Sequence, residues 1–126
     1  MTKSLLILHA YAELISHDLF MSRHDFASLH RRVRGFPICA TKDGANSAAS
    51  IAFALNVACC FYPKRVLCLQ RSAVMVKILR EKGLPARLVI GAQKLPFKAH
   101  AWVELDGVII DDRLASREKF FILEEC

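Results

Sequence analysis

The tripeptide Gly83-Leu84-Pro85 divides this chain into two kinds of polypeptide. Before it, apolar residues recur at the three- and four-residue spacing of helices; after it they follow the two-residue alternation of strands. The stretch leading into it, Cys68 to Lys82, is predicted to be a helix that turns Leu69, Ala73, Val76 and Leu79 inward. Glycine suits the residue just past a helix end, and the proline that follows cannot continue the helix. Upstream, Leu5, Leu8, Ala12, Ile15 and Leu19 keep a 3,4,3,4 spacing, which predicts a first helix with that stripe as its core face. Phe26 to Val33 reads as a shorter second helix stopped near Gly35 and Pro37, and Ser47 to Phe61 as a third. The expectation is an α+β fold, a helical N-terminal half packed on a small antiparallel sheet. With 126 residues, 54% of them hydrophobic, and no repeat or linker, the chain fits one domain over 1–126, helical to about residue 62.

Past Pro85, Ala86 to Gly91 and Ala99 to Leu105 are predicted strands, joined by a loop through Lys94, Pro96 and Phe97. Val108 to Asp111 and Phe120 to Leu123 follow as two more. Alternation places His100, Trp102 and Glu104 on one face and Ala101, Val103 and Leu105 on the other. Asp106-Gly107 marks a hairpin turn whose length matters. A two-residue loop pairs Leu105 with Val108 and sets Asp111 opposite Trp102. A three-residue loop, with Gly107 in a bulge, pairs Glu104 with Val108 and sets Asp112 opposite His100.

Several functional classes are disfavoured. The five cysteines, Cys39, Cys59, Cys60, Cys68 and Cys126, are odd in number and irregularly spaced, which does not describe a disulfide framework. Neither a Cys-x-x-Cys nor a paired Cys/His ligand pattern occurs, and His9, His17, His24 and His30 are dispersed over helices, so no metal is expected. Such free thiols suit a reducing, cytoplasmic setting. Leu5 to Leu8 is too short for a signal peptide, cut off by His9 and Glu13. The uncharged stretch from Ala45 to Pro63 carries Asn46, Ser47, Ser50 and Asn56 and reads as a buried, alanine-rich helix, not a membrane span. The net charge of +6 is spread along the chain, with one cluster at Arg31, Arg32 and Arg34. No nucleic-acid motif or basic-aromatic interleaving accompanies it, so a solvated face, or steering of an acidic peptide, explains it better than nucleic-acid binding.

The chemistry is concentrated in two short blocks. Cys68-Leu69-Gln70-Arg71-Ser72 opens the fourth helix, where the macrodipole and unpaired N–H groups favour negative charge. Ala99-His100-Ala101-Trp102-Val103-Glu104 lies on a strand, a rigid platform for an imidazole. A cysteine nucleophile needs an adjacent base, and this order supplies one.

These blocks, together with Arg87-Leu88-Val89-Ile90-Gly91 and Pro96-Phe97, resemble the lasso-peptide biosynthesis B2 proteins, which are transglutaminase-like cysteine proteases. The similarity runs from about Val66 to Asp112, while the first 60 residues match only in helical character. It implies a transglutaminase-like, papain-like core, with about 63–126 forming the catalytic helix and sheet. It also implies a leader peptidase of ribosomal peptide maturation, with Cys68 as nucleophile, His100 as base and Asp112 as the orienting acid. Asp111 is second, standing where relatives often carry asparagine. The implied partners are a precursor peptide with its leader, a separate leader-binding B1 protein and the lasso cyclase; no cofactor is implied. Acyl transfer to an amine and a non-catalytic peptide-binding scaffold are the competing readings. Trp102 is a candidate wall of the substrate cleft, with plain core packing as the alternative. Ser72 is expected to pack or bond within its helix, Glu104 to pair with Arg71 or Arg87, and Gly91 to permit a strand bend or the close approach of another backbone.

Overall fold

The computed structural model describes residues 3–38, 48–63, 66–94, 97–110 and 120–126. Helices α1 (Lys3–Met21), α2 (Phe26–Arg34), α3 (Ala48–Phe61) and α4 (Cys68–Glu81) precede strands β1 (Ala86–Lys94), β2 (Phe97–Leu105), β3 (Val108–Ile109) and β4 (Phe121–Glu125). The strands form one sheet in the order β3-β2-β1-β4, every neighbouring pair antiparallel. The fold is α+β, as expected.

The first helix turns the other way from its sequence reading. Leu6, Ala10, Leu14 and His17 are buried, whereas Leu5, Leu8, Ile15 and Leu19 are exposed and Ala12 faces outward with them. Two apolar rows run along α1, offset by one residue, and spacing alone cannot choose between them. Polar ties make the choice. His9 Nε2 lies 2.8 Å from Glu81 Oε2, Glu13 receives Lys77 Nζ at 2.5 Å, Ser16 Oγ accepts from Arg32 at 3.3 Å, and Tyr62 donates to Asp18. These ties fix α1 against α2, the end of α3 and α4 through the Leu6 row.

The fourth helix is the centre of the molecule, packed on α1 and α3 and against β1 and β2. It ends in a Schellman motif. Gly83, at φ 83°, donates to Arg80 O, and Leu84 N–H reaches back to Leu79 O at 2.9 Å. Buried Arg80 then spreads over four carbonyls, those of Val33, Phe36, Ala86 and Cys126, at 2.5–3.3 Å. One side chain thereby joins the end of α2, the start of β1 and the last residue. The basic cluster is likewise partly structural, for the Arg32 guanidinium lies 4.4 Å from the centre of the Phe20 ring.

The long strands pair from Ala86 opposite Leu105 to Lys94 opposite Phe97, so the expected loop through Lys94 and Phe97 shrinks to a connection of residues 95–96. Alternation along this ladder separates two cores. Ala86, Leu88, Ala101 and Val103 join the helices, while Val89, Trp102 and Phe120 pack together on the opposite face.

Candidate active site

Cys68 is the first residue of α4 and is exposed. The cap position before it is occupied by Leu67, which offers no side-chain acceptor, and the first turn carries no acid. The opening N–H groups of α4 and the positive end of its dipole are therefore neither capped nor neutralised by a side chain of that turn. The other described cysteines are placed less favourably for nucleophilic chemistry. Burial pushes the Cys59 thiol above its usual pKa, and Cys126 is buried. Cys60 sits in the last turn of α3, at the end of the dipole that favours cations.

One bond sets this helix against the strand bearing His100. Ser72, one turn beyond Cys68 and buried, donates from Oγ to Ala101 O at 3.1 Å. Its burial fits the expected packing, while its bond runs across to β2 and not within its own helix. The two blocks read from the sequence therefore lie on neighbouring elements, Cys68 opening α4 and His100 within β2. His100 alternates onto the face of Trp102, opposite the Ala101 and Val103 face that packs on the helices. β3 pairs with Glu104 and Leu105 of the same strand.

The surroundings of the imidazole are aromatic. The His100 ring lies 6.0 Å from that of Trp102 and 6.1 Å from that of Phe120, which are 5.7 Å from each other. Trp102 is only 1% exposed, and its indole N–H donates to buried Glu104 at 2.9 Å. Trp102 is thus core packing beside His100, as the alternative reading had it. Arg87 is the cross-strand neighbour of Glu104 in the backbone register, and Arg71 Nε donates to Asn56 Oδ1 at 2.9 Å. Gly91 stands directly opposite His100. A Cβ there would lie 2.7 Å from Phe120 Cβ and 2.9 Å from Trp102 Cη2, and the β1–β4 register shifts at the same point. A close approach is what this glycine permits, though of the Phe120 and Trp102 side chains and not of another backbone.

The hairpin corrects the register argument for the acid. Asp106 at φ 52° and Gly107 at φ 79° make a two-residue turn that pairs Leu105 with Val108 and Glu104 with Ile109. The three-residue bulge that set Asp112 opposite His100 is not formed. With both central residues at positive φ, the mirror-image turn matches the strand twist and needs no bulge. Asp111 and Asp112 themselves lie outside the described residues, immediately after Ile110, whose N–H donates to Val103 O at 2.9 Å.

Beside these elements runs a cleft of about 520 Å³ lined by Ala48, Ala49, Ala52, Phe53 and Asn56 of α3 and by Ile109 and Ile110. α3 is the buried helix expected, with Ile51, Ala52, Ala54, Leu55 and Ala58 in the core, but sequence reasoning missed the cleft along it. Its signal was the alanine run, whose small side chains leave the space. No helix among the described residues is long and apolar enough to cross a membrane. His9, Glu13 and Glu81 cluster between α1 and α4, but His9 is bonded to Glu81 and Glu13 to Lys77.

An exposed cysteine opening a central helix, held against an antiparallel sheet that carries a histidine, is the framework of a transglutaminase-like domain. Residues 13–125 match the transglutaminase-like superfamily, and the chain belongs to it. Over 79 residues it is 35% identical to the microcin J25-processing protein McjB of Escherichia coli. That stretch covers 63% of this chain and 35% of McjB, so the chain spans about a third of its relative. Among solved structures, a candidate cysteine protease from Cytophaga hutchinsonii aligns at 16% identity and a TM-score of 0.41, over 98% of this chain and 42% of that one.

Proposed function

We propose that this chain is a cysteine peptidase that removes the leader from a lasso-peptide precursor. The observation that carries the reading is the exposed Cys68 at an uncapped helix N-terminus, on a helix bonded through Ser72 to the strand of His100. The similarity to a microcin-processing protein supports the substrate class.

In this reading His100 takes the Cys68 proton and the thiolate adds to a peptide carbonyl. The tetrahedral oxyanion is met by the Cys68 backbone N–H, one of those without an intrahelical partner. Collapse breaks the C–N bond, His100 protonates the departing amine, and water then hydrolyses the thioester to restore the thiol. Asp112, assigned by the family resemblance, holds the imidazole in its productive tautomer and stabilises its cation. A leader-binding B1 protein delivers the precursor, and the freed core N-terminus passes to the lasso cyclase. A reducing cytoplasm keeps Cys68 as a thiol.

The test is cleavage of precursor, with the leader-binding partner supplied, by Cys68→Ala and His100→Ala. Each is expected to lower turnover by roughly 10³-fold or more with an unchanged circular dichroism spectrum. The released leader should carry a free carboxylate, which mass spectrometry distinguishes from an amide made by acyl transfer. Near-normal cleavage by Cys68→Ala would remove the nucleophile assignment, and serine at Cys39, Cys59, Cys60 or Cys126 provides the control.

A further inference from the structure

We infer that the cleft between α3 and the β3 segment is the subsite for a large apolar side chain of the peptide processed at Cys68, an inference that rests on the peptidase reading. One wall of the cleft is tied to the helix that Cys68 opens. Asn56 lines the cleft and accepts from Arg71 Nε at 2.9 Å, and Arg71 lies one turn beyond Cys68 on α4. At about 520 Å³ the cleft falls within the range of small-ligand pockets, and its lining is apolar apart from one amide, the composition such pockets have.

The floor is built from alanines, so an incoming side chain displaces nothing. Phe53 stands in the wall with 56% of its surface exposed, an apolar ring whose burial by a ligand is favourable. A second depression of about 200 Å³, lined by Leu6 of α1 and Ser50 and Ala54 of α3, shares Ala49 and Phe53 with the cleft. Two apolar depressions on either side of one exposed ring suit an extended peptide better than a compact small molecule.

The experiment is an amide-resolved NMR titration of the Cys68→Ala protein, which binds without turnover. The probe is a capped Gly/Ser hexapeptide carrying a single Phe, compared with the all-Gly/Ser hexapeptide. The Phe peptide should shift the amides of Ala49, Ala52, Asn56 and Ile110 saturably, and the Gly/Ser peptide should not. Ala49→Phe fills the cleft from an exposed position and should weaken binding at least tenfold. Phe53→Ser removes the wall and should also weaken it, which covers the case where Ala49→Phe fails to fold. Equal shifts with both peptides, shifts confined elsewhere, or unaltered affinity in both variants would overturn the inference. Because binding is read in a protein without the nucleophile, that outcome is separate from a failure of the wild-type chain to cleave precursor.

Discussion

Replacing Gly91 by alanine tests the packing that positions His100. The added Cβ would meet Phe120 Cβ at 2.7 Å and the Trp102 ring at 2.9 and 3.0 Å. Carbon atoms in contact prefer about 3.5–4.0 Å, so something must move by roughly 1 Å. Trp102 is poorly able to do so, being buried and tied to Glu104. Phe120 sits beside β4 at the edge of the sheet and is the part that yields. Overpacking of this kind costs about 2 kcal/mol, equivalent to a fall of roughly 6–10 °C in Tm for a domain of this size. Urea unfolding followed by fluorescence reads the site directly, since Trp102 is the chain's single tryptophan. Its emission should change in the folded state as well as at the midpoint. Leader cleavage should fall with it, because the His100 ring packs beside both of the aromatics that are disturbed. A loss below about 0.5 kcal/mol with an unchanged emission spectrum would refute the reasoning, showing that the β1–β4 irregularity relaxes enough to absorb a methyl group.

Leu14→Ala should cost about 2–5 kcal/mol in urea unfolding, since its side chain is 0% exposed, while Leu8→Ala, at 65% exposure, should stay within about 0.5 kcal/mol. The reverse ranking would restore the Leu5–Leu19 stripe as the core face of α1. Asp112→Asn is expected to depress the turnover number for leader cleavage far more than Asp111→Asn, with KM little changed, because asparagine permits the wrong imidazole tautomer. Damage confined to Asp111→Asn would mean that the Leu105–Val108 register continues past Ile110 and presents that residue instead.

What could be read from the sequence was what local physics decides. The change of period at Gly83 fixed the switch from helix to sheet, and the Schellman motif formed where glycine and proline required it. Strand alternation correctly put His100, Trp102 and Glu104 together. The failures have a common origin in choices made between elements. Either apolar row of α1 is a valid amphipathic face, and only Glu81, Lys77, Arg32 and Tyr62 on other elements select the Leu6 row. Asp-Gly is compatible with two hairpin lengths, and the pairing of Leu105 with Val108 is settled in the folded ladder. The core reading of α3 holds for Ala52, Ala54 and Ala58, but sequence shows the hydrophobicity of Ala48 and Ala49 and not the space beside them.

The two ends of α4 show how this architecture divides stability from chemistry. At its C-terminus every device favours the fold: the Schellman bonds close the last turn, and Arg80 gathers four carbonyls from three other parts of the chain. At its N-terminus Leu67 fills the cap position without capping, where Ser, Thr, Asp or Asn would stabilise the helix by roughly 1 kcal/mol. A capping oxygen there would accept from the N–H of Leu69 or Gln70 and set a polar side chain against the positive end of the dipole, which in the peptidase reading favours the Cys68 thiolate, so the more stable sequence would be the less useful one. Ser72 instead ties the first turns to β2 from the side, using none of the terminal N–H groups.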